Sequence, residues 1–90
     1  MLIRLYSVYD RVAQVYSEPF SAVNDATALR SFTIAQSSPE SMLYSSPADF
    51  QLWYIGSLDN NSGELLSYDD LATEPHKVCD GKPREVTEHE

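Results

Sequence analysis

Two long apolar segments, Met1–Asp10 and Phe50–Asp59, constrain this chain more than any other feature. In the first, Ile3, Leu5 and Tyr9 fall on one side of an extended strand, and Leu2, Tyr6 and Val8 on the other. Arg4 and Ser7 are the exceptions. A strand apolar on both sides is a central strand, covered above and below. In the second segment Phe50, Leu52, Tyr54 and Leu58 alternate with Gln51, Trp53, Ile55 and Ser57. Gly56 interrupts that run, which points to a bulge or a close backbone approach. Any fold for this chain has to place these two strands first.

Shorter signals fill the space between them. Asp10-Arg11 reads as a turn, followed by a less regular stretch to residue 16. Ser17–Val23 is a weaker strand, and Pro19 makes it an edge strand or delays its start past the proline. Asn24-Asp25 marks a helix start, since either side chain can accept from the free amides of a first turn. From Ala26 to Gln36, residues Ala28, Leu29, Phe32 and Ala35 share one face, with Thr27, Arg30 and Ile34 opposite. Ser37-Ser38-Pro39 ends the helix, and Ser38 is placed to cap a further short turn. Ser37–Asp49, with five serines and two prolines, otherwise reads as a long loop. Asp59-Asn60-Asn61-Ser62-Gly63 is a hairpin signal with Gly63 at the positive-φ position, and Leu65–Tyr68 is the returning strand. The order is β-β-α-β-β. That is an α+β domain, a small and mostly antiparallel sheet with one helix packed on it.

The composition changes at Tyr68, where the last of ten aromatic residues lies. Residues 1–34 balance Arg4, Arg11 and Arg30 against Asp10, Glu18 and Asp25. Residues 69–90 set seven acids against Lys77, Lys82 and Arg84, contain Pro75 and Pro83, and have few apolar side chains. Such a segment buries too little to offset its ordering entropy, about 1–2 kcal/mol per residue for backbone alone. It reads as an acidic, flexible tail, leaving residues 1–68 as the domain, whose fold would survive removal of the tail. A domain that small has a large surface for its volume and is commonly supplemented by disulfides, metals or self-association. With one cysteine in the chain, the first is excluded within a monomer, and self-association is the expectation. No run of apolar residues is long enough to span a bilayer, and Arg4, Asp10 and Arg11 break any leader-like pattern near the start, so a cytoplasmic location is expected.

The residues offer little for catalysis. His76, Cys79 and His89 all fall in the expected tail, where no rigid shell would hold a base beside a nucleophile. His76 and Cys79, three apart, supply two ligands where a structural zinc site needs four. Gly56, Gly63 and Gly81 are isolated, so no phosphate-binding loop is present. The expectation is a protein that is not an enzyme and takes no metal, cofactor or small-molecule substrate. Nucleic-acid binding has partial support. Tyr6, Tyr9, Tyr16, Tyr44, Trp53 and Tyr54 could stack bases, but a single strand also needs a cationic groove. Arg4 and Tyr6 share a strand face that Arg30 could join from the helix, while Ile34 with Trp53 or Tyr44 could form a face for a second copy. The candidate DNA or partner contacts are therefore Arg4, Tyr6, Arg11, Arg30, Ile34 and Trp53.

A set of blocks in order then gives a family likeness. Val8-Tyr9-Asp10-Arg11-Val12-Ala13, Pro19-Phe20, Asn24–Phe32, Pro47–Gly56 and Asp59–Glu64 follow one another across residues 3–66. The chain resembles the small non-structural proteins of gokushovirus-like microviruses, tailless phages with circular single-stranded DNA genomes. The resemblance implies an accessory role in genome synthesis or packaging, in the host bacterial cytoplasm. It implies viral replication or capsid proteins as partners, no catalytic residue and a DNA-binding label. The family's Asn-Asp-Ala…Arg-x-Phe block falls on Asn24, Asp25, Ala28, Arg30 and Phe32. Two readings follow: an accessory protein acting through self-association and protein contacts, or a weak single-stranded-DNA binder.

Overall fold

Strands β1 (Leu2–Asp10) and β4 (Phe50–Asp59) pair antiparallel along their full lengths, from Leu2 opposite Asp59 to Asp10 opposite Phe50. The computed structural model describes residues 1–66 and 75–82. Every other described strand attaches to this central pair. β2 (Val15–Tyr16) and β3 (Phe20–Ala22) pair with the free side of β1, and β5 (Leu65–Leu66) and β6 (His76–Asp80) with the free side of β4. The sheet has six strands and every pairing is antiparallel. β3 begins after Pro19 and lies at the edge, where a missing backbone donor costs least.

One irregularity in the central ladder decides which side chains share a face. Tyr6 pairs with Tyr54 and Leu5 with Gly56, so Ile55 is an extra residue, a bulge at the glycine. Because strand side chains alternate, the extra residue reverses the sides of all that follows. Leu58 therefore lies on the side of Trp53, not with Phe50, Leu52 and Tyr54 as simple alternation predicts. Ser57 moves to the Tyr54 side, where its hydroxyl meets the Tyr54 hydroxyl at 2.9 Å.

Among the described residues a single long helix, α1 (Asp25–Gln36), covers one side of the sheet. Asn24 caps it, its side-chain oxygen accepting from the Thr27 amide at 2.8 Å. Asp25 is thus released from capping and stands in the first turn. Ala28 and Phe32 are buried, meeting Tyr6, Leu52 and Tyr54 in one core with Leu43 and Phe50. Leu29, expected on this packing face, is 40% exposed at its margin. The stretch read as loop carries a short helix, α2 (Met42–Ser45), and one 3-10 turn at Pro47–Asp49. Ser41, not Ser38, caps α2, and the turn drives Leu43 into the core. The turn of residues 11–14 is closed by Asp10, whose carboxylate accepts from the amides of Val12 and Ala13. Gly63 has φ +80, as its place in the hairpin requires.

The expected tail needs correcting. His76–Asp80 forms strand β6, which pairs with Gln51–Tyr54 of β4, so the folded domain does not end at Tyr68. The other residues of that expected tail, 69–74 and 83–90, and the last two of the expected returning strand lie outside the described residues. β6 is poor in apolar residues and so resembles a solvated segment in sequence. It gains its place by completing the hydrogen bonds of β4 and setting Val78 and Cys79 against the core. Removing residues 69–90 would therefore uncover part of the core.

Gly81 fixes the end of β6. Its amide donates to the Phe50 carbonyl at 2.8 Å, and a Cβ there would sit 2.0 Å from the Pro47 carbonyl oxygen. No side chain fits without separating β6 from the 3-10 turn. We expect Gly81→Ala to cost about 1–3 kcal/mol, as overpacked sites do, and to lower the melting temperature by at least about 5 °C in circular dichroism.

Candidate functional site

The side of the sheet away from α1 has no helix over it among the described residues. It presents Ile3, Leu5, Ser7 and Tyr9 from β1 and Gln51, Trp53, Ile55 and Leu58 from β4. Register puts Tyr16 beside Tyr9, and the three large rings form a row. The Tyr9 and Tyr16 centroids are 4.6 Å apart, and Tyr16 meets Trp53 edge-on at 6.2 Å. Such tilted and edge contacts suit the ring quadrupoles and hold the side chains in place. Tyr16 is 51% exposed and Ile55 37%, while Trp53 and Tyr9 are half-buried. Ser7, between them, is fully buried, and its hydroxyl donates to the Ser17 carbonyl at 2.7 Å.

Polar contacts at one border of this face orient the tryptophan. Trp53 Nε1 donates to Gln51 Oε1 at 3.1 Å, and Gln51 Nε2 donates to Asp80 at 3.0 Å. Lys77 Nζ also binds the Asp80 carboxylate at 3.1 Å. The Lys77 ammonium and the Gln51 amide hold the Asp80 carboxyl below its ordinary range. β6 therefore supplies both the chain that fixes Trp53 and a cation whose charge is already matched.

On the helix side, a second polar group gathers around Asp25. One carboxylate oxygen accepts from the Tyr6 hydroxyl at 2.6 Å and from Arg4 Nη2 at 2.9 Å, and the other meets His76 Nε2 at 2.9 Å. Arg4 Nε also donates to the Tyr6 oxygen at 2.8 Å, and its guanidinium carbon lies 4.0 Å from the Tyr54 ring centre. Burial works against the charged form of Asp25, but the hydrogen bonds from Tyr6, His76 and Arg4 outweigh it and hold its pKa at about 2. Burial raises the Tyr6 phenol, and hydrogen bonding to Asp25 adds to the shift. This group ties α1, β1 and β6 together.

The six expected contact residues do not converge. Arg4 is occupied by Asp25, and Tyr6 is a core residue with no exposure. Arg11 lies in the turn after β1 and donates to the Ala48 carbonyl at 3.2 Å. Arg30 and Ile34 sit on the outer side of α1, with Ile34 63% exposed. Trp53 is on the opposite side of the sheet, so it shares no surface with Ile34, and Arg30 does not join the Arg4–Tyr6 pair. What joins Trp53 instead is Tyr9 and Tyr16. The alternation of β1 gave Tyr9 its side, but the place of Tyr16 depends on the β1–β2 register. His76 and Cys79, expected in the tail, belong to β6: His76 binds Asp25, and Cys79 faces Leu52, its thiol pKa raised by burial. Among the described residues no group of three or more His, Cys, Asp or Glu side chains could hold a metal ion, and no helix is long and apolar enough to cross a membrane.

The sequence matches the model of the family described as Phage ORF5 protein over residues 3–83. That span includes β6 and the Gly81 contact. No curated protein and no solved structure matches the chain.

The Asp25 group predicts a defined acid response. Its folded pKa, about 2, lies below the ordinary 3.8, so the stability it contributes is present above about pH 4 and is lost as pH falls toward 2. Asp25→Asn should cost about 1 kcal/mol at neutral pH, discounted for its partial exposure, and should flatten the loss of stability between those values. Urea unfolding at several pH values checks both.

Proposed function

The chain belongs to the Phage ORF5 protein family, and from that premise we propose that it is a non-enzymatic phage accessory protein working through self-association and contacts with viral replication or capsid proteins. Its task in this reading is to support synthesis or packaging of a single-stranded DNA genome. The genome type rests on the resemblance to microvirus non-structural proteins. The observation that carries the reading is the row of Tyr9, Tyr16 and Trp53 on a sheet side over which no helix lies among the described residues. Fixed aromatic rings on a rigid surface are strong anchors for protein contacts, because little side-chain entropy is lost on binding.

The electrostatics favour proteins over polynucleotides. A single strand needs cations along its phosphates, and affinity falls with salt by about 0.7 logarithmic units per contact. Arg4 is paired with Asp25 and Lys77 with Asp80. The net charge of -8 opposes a polyanion further. The second reading, direct single-stranded-DNA binding, draws on the same rings, since bases stack on aromatic faces and Arg11 and Lys77 lie toward that end of the sheet.

Trp53 is the one tryptophan, so its fluorescence reports directly on this face. We expect oligothymidylate to leave its emission unchanged at low salt, and the solution mass to exceed that of one chain. Quenching that weakens steeply with added salt would establish the DNA reading instead. A strict monomer at high concentration would remove the basis for self-association.

A further inference from the structure

We infer that two copies of this chain meet face to face through the sheet side opposite α1, burying Leu5, Tyr9, Tyr16, Trp53 and Ile55 against their counterparts. This rests on the self-association proposed above and assigns it a surface.

Charge singles out this face and its occupant. The chain carries a net charge of -8, so two copies repel each other wherever their acids approach. On β1 and β4, the side chains directed away from α1 include no charged group. At the border, Lys77 and Asp80 neutralise each other. A polynucleotide would need free cations here, and a strongly charged protein would need an opposite charge. A neutral aromatic surface is complementary to itself, which is the requirement of a twofold interface, where the same patch serves both partners. Of the other exposed apolar residues, Leu65 lies opposite Leu58 on this same side, and Met1, Leu2 and Val23 line a hollow that also holds the charged Arg4, while Val12, Ile34 and Met42 stand apart on separate segments.

The dimensions are sufficient. The nine residues of β1 span about 30 Å at about 3.3 Å each. Four strand widths at about 4.8 Å add nearly 20 Å, giving a footprint of about 600 Å² on each copy. The pair would bury about 1,200 Å² in total, the lower end of the range for specific interfaces, with large rings at its centre. Two sheets stacked about 10 Å apart would form a sandwich whose second layer covers the side on which the described residues place no helix.

Sedimentation of the full chain over a dilution series, read with Trp53 emission, tests the assignment. The mass should fall from two chains to one on dilution, with Trp53 emission shifting to the red in step. Tyr16→Lys, on an edge strand, and Ile55→Lys should each weaken self-affinity at least about tenfold. Ile34→Lys, on the far side of α1, should leave it unchanged. If the chain pairs but Trp53 does not respond, or Ile34→Lys alone disrupts pairing, the surface is wrong and the self-association reading stands. A single-chain mass at every concentration overturns both. A Trp53 signal that is already blue and independent of concentration in a single chain would show that another part of the same chain covers the face. If either lysine variant fails to fold, the dilution series on the unaltered chain still decides.

Discussion

The β1–β4 ladder is the constraint on which the rest depends. Both strands are long, and all other described strands are short pieces added to their outer edges. The core forms where α1 lies across this pair, on Tyr6, Leu52 and Tyr54. One helix of twelve residues, about 18 Å long, can cover only one side of a sheet this size. Among the described residues, the apolar content of β1 and β4 on their other side is then left without a helix.

The Asp25 group shows how the same economy shapes the charges. Asn24 performs the capping, so Asp25 is free to receive Arg4, Tyr6 and His76. One carboxylate thereby secures three elements of the fold and occupies the arginine nearest the core. A residue that reads as a DNA contact in a linear sequence becomes a structural ion pair once α1 folds onto β1. With Lys77 likewise matched by Asp80, two of the five lysines and arginines among the described residues are committed to acids.

In the proposed pairing of two copies, the aromatic row and the acids elsewhere on the chain act together. Acids distributed over the rest of the chain discourage indiscriminate association, because like charges approach each other in most orientations. In that proposal the charge-free strip on β1 and β4 is the orientation in which the penalty is least. Rings held by neighbouring rings and by the Gln51–Asp80 chain present a shape fixed in advance, so association need not order them.

Features set by neighbours in sequence were legible in it: the two central strands, the helix starting at Asn24-Asp25, an irregularity at Gly56 and the Gly63 turn. Each rests on local rules of period, capping or positive φ. The strand at His76–Asp80 was not legible, because its stability comes from the edge of β4, more than twenty residues away, and not from its own apolar content. The role of Asp25, the reversal of Leu58 and the grouping of Tyr16 with Trp53 were hidden for the same reason. The sequence by itself determined the two central strands, the long helix and the turns at Asp10 and Gly63, and that one helix would face one sheet. Only the tertiary structure decided which charges are spent on each other and which rings share an open face, since both depend on strand register and on contacts between residues far apart in the chain.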